Sequence, residues 1–134
     1  MKGPNKKIKF IVEKTNTGFS AFSDVYPIFT TGQSITELIG HAIEAANLYF
    51  EDHNIKLTRE QIIFEIDFKQ FFQYYKILNS KFLAYKIGMN PTLLSQYIRG
   101  HKKPSEKQTE KILSGIRQIG QELSEINLTG INHP

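Results

Sequence analysis

A chain of 134 residues with 40% hydrophobic residues, among them ten Phe and six Tyr, can bury a core as one domain or as two small ones. The absence of cysteine excludes disulfide bonds and thiolate metal sites, and a net charge of +4 is too small to define a partner by itself. No apolar run reaches membrane-spanning length and the start, MKGPNKKIKF, lacks a signal-peptide core, so we expect a cytoplasmic protein with no membrane partner.

Residues 1–66 are predicted to form a small sheet domain with one helix, in the order β-β-β-α-β. Four strands are predicted, at residues 7–13, 19–24, 28–31 and 61–66, and apolar residues alternate with other residues in the first and the last of them. Asn16, Thr17 and Gly18 are typical of a hairpin turn, and Pro27 interrupts the hydrogen-bonded ladder before the third strand. Such a sheet has a small core, which favours association with a partner subunit.

The helix of this domain is predicted between the third and fourth strands. Ser34 is a typical N-cap residue, and Glu37 three positions later completes a capping box. The apolar stripe that should face the sheet comprises Ile35, Leu38, Ile39, Ala42, Ile43, Ala46, Leu48, Tyr49 and Phe50. His41 lies beside this stripe without a second residue at metal-ligand spacing, so we interpret it as a surface or boundary residue.

Residues 67–126 are predicted to form an all-α domain, and residues 127–134 a disordered tail. Asp67 is a suitable cap for a first helix at residues 68–78. The aromatic stripe of this helix is typical of a packed core, and we expect it to support the two helices that follow. No flexible linker separates the two domains, which predicts a stiff junction.

The last helix of the α domain is predicted to begin after Ser105, with Gln108 three residues later as in a capping box. Its apolar stripe comprises Ile112, Ile116, Ile119 and Leu123. Gly115 and Gly120 lie beside the stripe, and each interior glycine costs a helix about 1 kcal/mol. The two glycines therefore predict close approach of another backbone.

Residues 79–105 predict two short helices, a tight turn and a basic loop. Asn79 is suited to cap the first helix, and Gly88 to end it in the left-handed conformation. Asn90 and Pro91 are suited to start the second helix, which would stop at Gly100. This is the spacing of a helix-turn-helix, whose second helix enters the major groove of DNA. An ordinary helical hairpin is the alternative.

The second helix has an inward and an outward face. Leu94 and Ile98 are predicted to face inward, which leaves Thr92 and Gln96 exposed, four residues apart, as candidates for base contacts. The candidates for phosphate contacts flank that face and are Ser80, Lys81, Arg99, Lys102 and Lys103.

Positive charge is concentrated around the same segment. Residues 69–111 contain nine Lys and Arg but only two acidic residues, a local net charge of +7, whereas residues 1–60 hold seven basic and seven acidic residues. Such an excess suits contacts with phosphates. A solvated helix surface would also explain it.

Individual residues of both domains match one known family. In the first domain they are Thr17-Gly18-Phe19-Ser20-Ala21, Pro27, Thr31-Gly32, Ser34-Ile35-Thr36-Glu37, Ala42 and Glu44-Ala45. In the second they are Leu83-Ala84, Gly88, Ser95, Arg99-Gly100, Lys103-Pro104 and Ile112-Leu113. On these residues the chain resembles HicB-type antitoxins, and its second half also resembles the Cro-like helix-turn-helix of phage repressors. The resemblance implies an α+β protein with a shortened, degenerate RNase H-like domain before the helix-turn-helix. Gln33-Ser34 stands where the family usually has aspartate and glycine.

No catalytic site is predicted. A metal-dependent nuclease needs several carboxylates that converge on Mg²⁺, and the strand positions offer Glu13, Asp24, Glu65 and Asp67. Asp67 is better used as a helix cap, and Glu13 and Glu65 fall on the face opposite the apolar one. There is also no Ser/His/Asp arrangement and no phosphate-binding glycine loop. We therefore expect neither enzymatic activity nor a metal or cofactor.

Two functions remain open. An antitoxin would sequester a small HicA-type mRNA-cleaving toxin through the sheet domain and repress its own operon by binding operator DNA. A stand-alone regulator would bind DNA in the same way and use the sheet domain to dimerise or to bind a ligand. Either protein is expected to be a homodimer or tetramer, because two-fold operators require two-fold proteins. A short, basic reading frame beside this gene would favour the antitoxin.

Overall fold

The computed structural model describes residues 7–128, which form a mixed α+β protein with four strands and five α-helices. The chain divides into two compact units, of which the first ends at Tyr74 and the second begins at Tyr75. Within the described residues, no helix is both long and apolar enough to cross a membrane. Most of the predicted tail, residues 129–134, lies outside the described residues.

A four-stranded sheet forms the first unit. Its strands are β1 (Ile8–Thr15), β2 (Gly18–Ser23), β3 (Phe29–Gly32) and β4 (Ile62–Ile66), in the spatial order β3-β2-β1-β4. β2 pairs with β1 and β3 in antiparallel fashion, whereas β4 runs parallel to β1. A parallel neighbour needs a crossover, and helix α1 (Ile35–Tyr49) lies in that connection. The predicted order β-β-β-α-β is therefore observed.

One face of the sheet is covered by α1. The helix is capped at Ser34, whose hydroxyl accepts a hydrogen bond from the Glu37 N–H (3.1 Å). Leu38, Ala42 and Ala46 of α1 are fully buried against alternate strand residues, including Phe10, Val12, Ala21 and Ile62. The predicted stripe was broader than the buried one, because Ile35, Leu48 and Tyr49 are exposed.

The connection from α1 to β4 is fastened by Asn47. Its side-chain amide donates to the Leu57 carbonyl (3.1 Å) and its carbonyl oxygen accepts from the Leu57 N–H (2.5 Å). Leu57 is only 2% exposed, so this pair of hydrogen bonds holds a loop residue in the core. Short 3₁₀ turns lie on either side of it, at Glu51–His53 and Arg59–Gln61.

Helix α2 (Phe68–Tyr74) is part of the first unit. The N–H of Asp67 donates to the Val12 carbonyl (2.9 Å), and the Gln70 side chain bonds both the N–H (2.9 Å) and the carbonyl (2.8 Å) of Lys14. The Gln70 amide thus replaces a strand residue and continues the β1–β4 ladder. The helix ends at Tyr74 rather than at the predicted residue 78, and the first compact unit ends at the same residue.

Three helices form the second unit, namely α3 (Ser80–Ile87), α4 (Pro91–Ile98) and α5 (Glu106–Ser124). α3 packs against both α4 and α5. The most deeply buried side chains of this unit are Leu83, Ala84, Leu94 and Ile112, each at most 1% exposed.

The two glycines of α5 have different surroundings. A Cβ atom on Gly115 would overlap Ile87 Cγ2 and lie 3.2 Å from Leu83 Cδ1, so α3 side chains explain this glycine. A Cβ atom on Gly120 would meet no described atom within 4 Å. Within the described residues, side chains of α3 approach one glycine and no atom approaches the other, so a close approach of another backbone is not seen within this chain.

Candidate nucleic-acid interface

Local capping fixes both ends of α3. The Asn79 side chain accepts a hydrogen bond from the Phe82 N–H (3.0 Å), which caps the first turn. At the other end Gly88 has a φ of +67°, and the Met89 N–H donates to the Ala84 carbonyl (2.9 Å). This is the Schellman arrangement, in which a left-handed glycine lets the chain turn back over the last helical carbonyls.

α4 begins immediately after that turn and ends in the same way. The Asn90 side chain accepts hydrogen bonds from the N–H groups of Thr92 (2.8 Å) and Leu93 (3.3 Å), and Pro91 occupies the first helical position. Gly100 has a φ of +77°, and the His101 N–H donates to the Gln96 carbonyl (2.9 Å). The caps and turn glycines predicted from the sequence are thus confirmed.

The inward face of α4 differs from the prediction at one position. Leu94 is fully buried as predicted, but its inward partner is Tyr97, which is 8% exposed, while Ile98 is only half-buried. Residues three and four apart both lie near one face of a helix, and here the packing against α3 selects the spacing of three. Tyr97 was not predicted as inward because the apolar Ile98, next to it in the sequence, also has helical spacing from Leu94.

The outward face of α4 carries the two predicted base-contacting residues. Thr92 is exposed and Gln96 is half-buried. Counted from Thr92, Gln96 is at position i+4 and the exposed Arg99, at the helix end, is at position i+7, so all three lie on the same face. With a rise of about 1.5 Å per residue, this row spans about 10 Å, the length of roughly three base-pair steps. Arg99, a predicted phosphate contact, thus lies in the same row as the two predicted base contacts.

The predicted phosphate contacts occur at two places along the chain. Ser80 and Lys81 form the first turn of α3, and Arg99, Lys102 and Lys103 follow the last turn of α4. All of these except the half-buried Ser80 are exposed. Two further cations of this unit are held by carboxylates, since the Lys86 amine lies 2.7 Å from Glu122 and the Arg117 guanidinium 2.6 Å from Glu110.

Three carboxylates of the first unit, those of Asp24, Glu37 and Glu65, and the imidazole of His41 have structural partners. Lys9 Nζ lies 3.8 Å from Asp24 and 3.7 Å from Glu65. His41 donates from Nδ1 to the Thr31 carbonyl (2.7 Å), and its Nε2 lies 3.7 Å from Glu37. Over residues 7–128 there is no cluster of three or more His, Asp or Glu placed to hold a metal ion.

Comparison of the chain with protein-family models, with curated proteins and with solved structures finds no match. The candidate interface is therefore defined by its own geometry. It consists of a doubly capped α4, an outward row of Thr92, Gln96 and Arg99, and basic residues at the start of α3 and after α4.

Proposed function

We propose that this chain is the antitoxin of a type II toxin–antitoxin system that represses its own operon by sequence-specific DNA binding. In this proposal α3 and α4 form a Cro-like helix-turn-helix, and the first unit is a shortened RNase H-like domain that sequesters a HicA-type mRNA-cleaving toxin. The toxin is proposed from the resemblance to HicB-type antitoxins, and the DNA from the geometry of α4.

The outward row of α4 carries the proposal of DNA binding. Gln presents a donor and an acceptor that can bond adenine bidentately, and Thr presents a methyl group to thymine or a hydroxyl to a base or phosphate. Gln96 and Thr92 are held at these positions by side-chain caps and left-handed glycines, so both are presented by a helix whose ends are defined. The exposed Lys102 follows the helix, where a phosphate contact would fix its orientation in the groove.

A homodimer or tetramer is part of the proposal, because one helix-turn-helix reads only a half-site. Leu123 and Ile126, near the end of the second unit, are 57% and 69% exposed, which supports a subunit contact there. Sedimentation equilibrium at micromolar concentration should show a dimer or a larger species. A monomer throughout the concentration range would contradict this part of the proposal.

Paired substitutions test the DNA-binding assignment. Gln96→Ala should cost about 1–3 kcal/mol on the operator and little on random DNA, because only base contacts carry sequence information. Lys102→Ala should weaken both by a similar factor and lower the salt slope by about one, because it removes one phosphate contact. Fluorescence anisotropy with the duplex upstream of the gene and a scrambled duplex, at several salt concentrations, measures both.

Equal weakening of operator and scrambled DNA by Gln96→Ala would show that the recognition face is placed wrongly.

A test of toxin rescue in cells separates the antitoxin from a stand-alone regulator. Co-expression of the chain should restore growth in cells that express the toxin of the same operon. Operator binding without rescue would favour the regulator.

A further inference from the structure

The sheet has a second face, opposite α1, on which large apolar side chains are exposed. The strand register places Ile11, Phe22 and Phe29 side by side across β1, β2 and β3. Side chains alternate along a strand, so these three point away from the face that packs on α1 through Phe10 and Ala21.

Large apolar side chains are unusual on the solvent-facing side of a sheet. Phe29 is 65% exposed, Phe22 36% and Ile63, on the same face of β4, 43%. An antiparallel sheet packed on one side normally carries polar residues on the other. We call Ile11, Phe22, Phe29 and Ile63 the outer patch. Ile11 is half-buried and the other three side chains are exposed, and apolar surface of this kind marks an interaction site.

The charges around the outer patch are mainly negative. Among the residues paired in the sheet, Glu13, Asp24 and Glu65 lie on this face together with one amine, that of Lys9. That amine lies between Asp24 and Glu65, at 3.8 and 3.7 Å, so one cation is shared by two carboxylates. A partner that approaches this face therefore meets an apolar centre with an excess of negative charge around it.

We infer that the outer patch is a docking surface for a basic protein, whose lysine and arginine side chains meet the carboxylates while its apolar residues cover Phe22 and Phe29. The inference rests on the proposed function, since a toxin that cleaves mRNA has to present cationic surface to a polyanion. Charge complementarity selects this occupant: nucleic acid would be repelled by the carboxylates, and a second copy would bring Asp24 and Glu13 against acidic residues of its own kind.

Binding of the toxin of the same operon, purified as a catalytically inactive variant, tests the inference with the full-length chain. The double variant Phe22→Thr/Phe29→Thr keeps β-forming side chains but removes both rings, and should raise the Kd measured by isothermal titration calorimetry about 30-fold or more. Leu48→Gln is the matched control, because it removes a side chain that is 71% exposed on α1, and should leave the Kd within about twofold.

Charge reversal gives an independent measurement. Glu13→Lys/Asp24→Lys should weaken toxin binding and make it less sensitive to salt, because attraction between opposite charges is screened by ions. Far-UV circular dichroism and operator binding should be unchanged in all these variants, which shows that both units remain folded.

The possible failures are distinguishable. If the unaltered chain does not bind the toxin, or if the operon encodes none, the proposed antitoxin function is wrong and the docking surface with it. If the unaltered chain binds and both double variants bind equally well, only the docking surface is wrong. If the phenylalanine variant instead loses self-association and keeps toxin binding, the patch is an interface between copies of this chain, and the inference is overturned.

Discussion

Replacement of the two glycines of α5 by alanine separates the contribution of packing from that of helix propensity. Each replacement gains about 1 kcal/mol of helix propensity, because both residues are in the interior of the same helix. At Gly120 no described atom lies within 4 Å of the new Cβ, so Gly120→Ala should stabilise the second unit by up to about 1 kcal/mol. At Gly115 the new Cβ meets Ile87 and Leu83 of α3, and overpacking typically costs about 1–3 kcal/mol.

The two variants should therefore differ by the overpacking cost, about 1–3 kcal/mol, with Gly115→Ala the less stable. Urea unfolding followed by far-UV circular dichroism measures this difference. The loss of a glycine changes the unfolded state equally in both variants, so their difference reports on the folded state alone. Equal stability, or a more stable Gly115→Ala, would refute the proposed contact between α5 and α3 at this residue.

Two further predictions concern the first unit. Gly32→Ala should destabilise it by at least about 1–3 kcal/mol, because the new Cβ would lie 2.5 Å from the backbone nitrogen of Leu38. Gly40→Ala should stabilise it by up to about 1 kcal/mol, because the new Cβ would meet no described atom within 4 Å. Thermal unfolding measures both variants, and equal shifts of their melting temperatures would contradict this reasoning. Asn47→Ala should cost about 1–3 kcal/mol and increase amide exchange at Leu57, because two hydrogen bonds to a buried residue are lost, and unchanged exchange there would show that the loop is held by other contacts.

Features that depend on neighbouring residues were predictable from the sequence. The ends of α3 were predicted from Asn79 and Gly88, and the helix is observed between them at Ser80–Ile87, because both residues act on the backbone within one turn. The first and fourth strands followed from alternation, which depends only on which face is buried, and the second and third from the turn residues beside them.

Features that depend on distant partners were not predictable. Helix α2 is attached to the first unit by hydrogen bonds between Gln70 and Lys14, which are 56 positions apart. The choice of Tyr97 over Ile98 as the inward residue is decided by packing against α3, and both residues are compatible with helical spacing. Gly115 and Gly120 look alike in the sequence, and the positions of Ile87 and Leu83 beside Gly115 distinguish them.

The residues that hold α4 in place are separate from those proposed to contact bases, so the preferred DNA sequence can change during evolution without a change in the fold. Asn90 and Gly100 hold the helix at its two ends, and Leu94 anchors its inner face, so none of the residues that fix its position is among those proposed to read bases. Under the proposed function, mutation at Thr92 and Gln96 can alter the preferred operator with little effect on folding. Related operons in one genome could thereby acquire separate operators while sharing the same scaffold.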